Sequence, residues 1–148
     1  MSNSPTPDPE ASGLEAEREA LRRAGLAVYE LIPAGIERAE FDYSEVGGVR
    51  VGSVGLYDAQ GNESSTPETD AASAAASELR RVMFRPGTGT WFSAQFRVSS
   101  AGRLSTSFDY DERPPYSWID DQAFVDDHAT YPRSTDATPR WLADLLAR

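Results

Sequence analysis

A chain of 148 residues carrying a formal net charge of −10 is one domain's worth of sequence, and its apolar content of 39% is enough to build a core. It has no cysteine, its 14 bases are all arginine and it has one histidine, which excludes disulfides, thiolate nucleophiles, lysine Schiff bases and Cys- or His-rich zinc sites. So acidic a chain repels nucleic-acid phosphates, no apolar run approaches the roughly 18 residues of a membrane span, and Met1 to Glu10 lacks the basic and apolar regions of a signal peptide. A cytoplasmic protein without cofactor, without direct nucleic-acid binding and without membrane contact is expected.

Residues 1–12, rich in Ser, Pro and acids, read as a disordered leader, and the domain as 13–148. A helix is expected from about Ser12 to Ile32. Leu14, Leu21, Val28, Leu31 and Ile32 share one face, Ser12 with Glu15 forms a capping box, and Pro33 with Gly35 ends it. Ala39, Phe41 and Tyr43 alternate with polar residues as a strand. Gly47-Gly48 reads as a two-residue hairpin turn into a return strand carrying Val49, Val51, Val54, Leu56 and Tyr57.

Residues 58–66 read as a polar loop. A second helix follows, with Thr66 as cap, Pro67 at its first position and Glu68 and Asp70 complementing the dipole. Its inner face is Ala72, Ala75, Ala76, Leu79, Val82 and Met83, and so many alanines imply close approach to what it covers. A second hairpin carries Phe92, Ala94, Phe96 and Val98, turns at Ala101-Gly102, and returns through Leu104, Thr106, Phe108 and Tyr110. A short helix near 120–128 and a last one over 138–147, burying Trp141, Leu142, Leu145 and Leu146, complete the chain. The expected fold is α+β, in αββαββα order: a four-stranded antiparallel sheet with helices packed mainly on one face.

The charge is concentrated in one segment. From Asp109 to Asp127 there are seven acids (Asp109, Asp111, Glu112, Asp120, Asp121, Asp126, Asp127) against Arg113 alone, a local balance of −6 out of −10. Tyr116 and Trp118 lie among them. Clustered carboxylates repel one another, and the usual compensation is a basic partner, steered by the field and held by aromatic anchors. These nine residues, the seven acids with Tyr116 and Trp118, form the expected partner-binding surface. Trp118 is either its exposed anchor or a loop tryptophan folded back over the sheet.

Two other readings stand beside it. One is a small hydrolase or metal-dependent enzyme using the 109–128 carboxylates with His128. Asp109 and Asp111 share the face of a strand opposite Phe108 and Tyr110, which directs them to water, and neither Ser117 nor Ser134 sits in a nucleophile elbow. No catalytic residue and no metal ligand is assigned. The other is an unrelated acidic adaptor.

Several motifs, in order, resemble the YezG-like immunity proteins of bacterial polymorphic toxin systems: Ile32-Pro33, the Leu79-Arg80 helix end, the Trp91 to Phe96 strand, Gly102, the Phe108 to Asp111 strand, Tyr131-Pro132-Arg133, and the Pro139-Arg140-Trp141-Leu142 helix start. The resemblance spans roughly residues 14–146, and departs from the family in the Ser/Pro leader and the short Gly-rich 86–90 loop. It implies a non-enzymatic antitoxin that binds and occludes the toxic C-terminal domain, often a nuclease, of a cognate secreted effector. A nuclease presents a basic cleft to phosphates, which an acidic surface complements.

Overall fold

The computed structural model describes residues 9–148, with side chains from residue 13 onward. Helix α1 spans Pro9–Tyr29. The sheet strands are β1 (Arg38–Val46), β2 (Val49–Tyr57), β3 (Glu63–Thr66), β4 (Ser93–Ser99) and β5 (Leu104–Asp109). Helices α2 (Asp70–Val82), α3 (Asp121–Thr130) and α4 (Arg140–Leu146) complete the fold, with a 3-10 turn at Thr135–Ala137.

The expected leader lies outside the described residues up to residue 8, and residues 9–12 form the first turn of α1. Proline at the first helical position suits that start, because its missing N–H is one the helix would leave unpaired anyway. The Ser12 cap falls where side chains are not described. Helix α1 ends at Tyr29, earlier than Ile32. Leu31 and Ile32 donate to Val28 and Tyr29 at 3.0 and 3.1 Å, the tightened last turn of a helix end, before Gly35 at φ 87°. Its buried stripe is Ala20, Ala24 and Val28, while Leu14, expected on the inner face, is exposed.

The sheet has five antiparallel strands in the order β3-β2-β1-β4-β5, one more than the four expected. The extra strand, β3, comes from the polar segment taken for a loop. Ser64 and Thr66 pair with Leu56 and Val54, so backbone pairing, not an apolar face, makes it a strand. Thr66 is therefore the end of a strand and not a helix cap. Its hydroxyl accepts the Glu68 N–H at 3.2 Å, and α2 begins only at Asp70.

Gly47 and Gly48, at φ 53° and 86°, form the turn between β1 and β2 that needs positive φ at both central positions. Phe41 pairs with Val54 on one side and Phe96 on the other, and Ala94 with Phe108. The Phe96 and Phe108 rings meet edge to face, 6.2 Å between centroids, so both lie on the helix-covered face as the alternation predicts.

Helices α1 and α2 cover that face. The alanines of α2 do bring it close: a side chain at Gly52 would sit 2.7 Å from the Ser73 hydroxyl and 3.1 Å from the Phe41 ring. The other sheet face carries Glu40, Asp42, Ser53, Gln95, Arg97, Ser105 and Ser107.

A second, smaller core gathers at one end of the sheet. Val46, Phe92, Ile119, Ala123, Phe124, Leu142 and Leu145 pack together there beneath α3 and α4. Trp91 enters the main core, and its neighbour Phe92 enters the small one. The register slips at this point: the Phe92 N–H donates to the Asp109 carbonyl at 2.9 Å, although Ser93 is the partner of Asp109.

Candidate functional site

The acidic segment wraps the small core, and the structure divides its carboxylates by what they hold. Asp127 is buried, which corrects its assignment to the partner-binding surface. Both of its oxygens accept from Arg80 at 2.8 Å, and Oδ1 also takes the Gly47 N–H at 3.0 Å. A planar guanidinium matches a carboxylate in this two-bond geometry, and full burial leaves neither group free for a partner.

Asp109 is half-buried and binds its own chain. Its Oδ1 accepts the N–H groups of Asp111 and Glu112, each at 3.0 Å, and so turns the chain out of β5. Asp120 caps α3 by accepting the Gln122 N–H at 3.0 Å. Asp121 pairs with Arg113 at 2.9 Å and Arg148 at 3.1 Å. Asp126 accepts only from the exposed Gln122 side chain. The segment is therefore less repulsive than its charge count implied, because turns, a helix cap and three arginines engage much of it. Asp111, Glu112, Asp120 and Asp126 are the exposed acids of the segment left without a basic partner among the described residues.

Two buried arginines do what the sequence assigned to no residue. Arg80 joins α2 to Asp127 and also donates Nε to the Trp91 carbonyl at 2.6 Å, with a Glu45 oxygen 3.5 Å from Nη1, the nitrogen that also bonds Asp127 Oδ1. Arg133 donates to the carbonyls of Tyr110, Ala137 and Thr90 at 2.7, 3.1 and 2.8 Å, and its guanidinium lies 4.6 Å from the centre of the Phe92 ring. Burial pulls the Arg133 pKa below the ordinary arginine value. A positional signal for Arg80 did exist: four residues after Ala76, it falls on the alanine stripe of α2.

Trp118 stands out from this framework at 63% exposure, resolving its two readings in favour of the exposed one. Its ring lies 5.9 Å from that of the half-buried Tyr116, which ties it to the small core. It borders a cleft of about 510 Å³ between β2 and the start of α2, lined also by Arg50, Val51, Thr69, Asp70 and Ser73. Trp141, by contrast, is half-buried between Phe92 and Phe124 and donates Nε1 to the Asp111 carbonyl at 2.6 Å.

His128 is not joined to either neighbouring acid. Its Nδ1 is buried with no hydrogen-bond partner among the described residues, and Asp127 faces Arg80. Among the described residues no three carboxylate or imidazole groups converge to hold a metal ion. No helix there is long and apolar enough to cross a membrane. Searches against family models and curated proteins find no match to this chain.

Proposed function

We propose that this protein is an immunity protein: it binds the toxic domain of a cognate effector, a nuclease with a basic active-site face, and blocks it by occlusion. The supporting observation is Trp118, a large indole of the acidic segment left 63% exposed beside the cleft between β2 and the start of α2. An exposed tryptophan braced by a second aromatic ring is the kind of anchor that dominates protein interfaces, typically worth about 2 kcal/mol or more. Asp111, Glu112 and Asp126, with Asp120 at the α3 cap, supply the surrounding negative field.

In this reading the acids draw the basic domain in, and Trp118 holds it. The buried Arg80–Asp127 pair ties α3 to α2 and to the Gly47 turn. The test is co-expression in a bacterial host with the C-terminal domain encoded by the adjacent gene. Wild-type chain should restore growth, and the Trp118→Ala and Asp111→Lys/Glu112→Lys/Asp126→Lys variants should fail while remaining folded. Full protection by both folded variants would remove this surface from consideration.

A further inference from the structure

The sheet ends in two edges of different character. β3 has only four residues, starts at Glu63 and runs into Pro67, all features that discourage pairing with another strand. β5, Leu-Ser-Thr-Ser-Phe-Asp, has no proline and no basic residue, and among the described residues no helix pairs with or covers its outer edge. The Ser99 N–H donates to the Arg103 carbonyl at 3.0 Å, so in the alternating antiparallel pattern Ser105 and Ser107 bond to β4. Leu104, Thr106 and Phe108 then point both N–H and C=O outward, and no other described backbone group takes them.

We propose that β5 pairs antiparallel with β5 of a second copy of this chain, across a two-fold axis at Thr106, to give one continuous sheet. The strand is complementary to itself in that register. Thr106 meets Thr106, Leu104 meets Phe108, Ser105 meets Ser107, and Arg103 meets Asp109 of the other copy. The outward-pointing residues are those that exchange hydrogen bonds, the apolar pair falls on the helix-covered face, and the opposite charges face each other on the open face.

The flanking surface fits the same arrangement. Beside the edge, α1 leaves Leu26 and Tyr29 exposed around a groove of about 300 Å³ lined also by Val98, Gly102 and Leu104. Leu104 lies against Gly25 of α1, where a side chain would come within 2.9 Å of its Cδ2. Extending the register sets Tyr110 of the second copy opposite Gly102, at the mouth of that groove. Such an interface is isologous, so each copy contributes the same patch and the assembly closes at two.

Sedimentation velocity of the full chain over a concentration series, with hydrogen exchange at the two ends of the series, tests this. A monomer–dimer equilibrium is expected, with the Leu104, Thr106 and Phe108 amides protected in the dimer and exchanging freely on dilution. Ser105→Glu/Ser107→Glu sets carboxylates against carboxylates across the axis, yet within each copy residue 105 faces Arg97. It should therefore weaken the dimer at least about tenfold without harming the monomer fold. Arg103→Glu, opposite Asp109, should act in the same direction. A chain monomeric at every concentration, or a dimer indifferent to both variants, would overturn the proposal. Protection of those three amides appearing only when a toxin domain is added would also overturn it, and would assign the edge to that partner.

Discussion

The guanidinium of Arg80 on α2 lies edge-on to the carboxylate of Asp127 on α3, with both nitrogen–oxygen distances at 2.8 Å and both side chains buried. This pair connects the two cores. Arg80 sits among the alanines that pack on the sheet, while Asp127 carries α3 and also holds the Gly47 turn between β1 and β2. Removing Asp127 leaves the buried Arg80 with only Glu45, 3.5 Å away, as counter-charge and takes both close hydrogen bonds from it, at a cost of about 3–5 kcal/mol. Asp127→Ala should lower unfolding free energy by that amount. Asp126→Ala, one residue away and exposed, should stay within about 0.5 kcal/mol of wild type. Urea unfolding of the two variants separates a structural acid from a surface one.

These neighbouring acids also show where sequence reading stops. Periodicity placed the faces of β1, β4 and β5 and the inner side of α2 because one face is buried and alternation or helical spacing records it. It missed β3, whose four residues bury little and are held by backbone bonds alone. It also grouped Asp127 with Asp126, since no local pattern records a partner 47 positions away. Leu14 was placed inside because it is apolar and in phase with Leu21 and Val28, yet near the start of α1 it is exposed. The anchor candidate Trp118 was visible as an aromatic between Pro-Pro and Asp-Asp, but its cleft with β2 and α2 depends on tertiary placement.

Binding kinetics should divide the proposed interface into two parts. The exposed acids act through a field screened beyond roughly 8–10 Å at physiological ionic strength, so association with the toxin domain should slow as salt rises. Asp111→Lys/Glu112→Lys should lower the association rate and flatten its salt dependence. Trp118→Ala should leave association nearly unchanged and speed dissociation by about thirtyfold, the equivalent of roughly 2 kcal/mol. Surface-based kinetics at two salt concentrations distinguish these effects.

The hairpin glycines are unequal. A side chain at Gly48 meets nothing within 4 Å, so Gly48→Ala carries only the strain of φ 86°. A side chain at Gly47 would run into the Ala123 carbonyl on α3. Gly48→Ala should therefore cost roughly 1 kcal/mol, and Gly47→Ala more than twice that, because α3 must also shift away from the turn. Thermal unfolding of the two variants checks the order. Equal destabilisation would mean that α3 does not press on the turn.

Alkaline pH should expose the burial of Tyr43. Its phenol is 1% exposed and donates to Glu45 Oε1 at 2.5 Å. Burial, and then that bond to a carboxylate, raises its pKa well above 10.0, the ordinary tyrosine value. The folded state thus keeps a proton that the unfolded state releases. The group's contribution to stability is complete below about pH 10 and declines as pH rises above it, by at most ~1.4 kcal/mol per pH unit. Tyr110 and Tyr131, also raised by burial, add to the slope in the same direction. The Tyr43→Phe variant loses its hydroxyl and leaves Glu45 without that donor, so its absolute stability should fall at neutral pH. Its stability should nonetheless decline less steeply than wild type above about pH 10. Denaturation curves for both proteins on either side of that pH give the comparison. Parallel declines would show that Tyr43 ionises as easily in the folded chain as in the unfolded one.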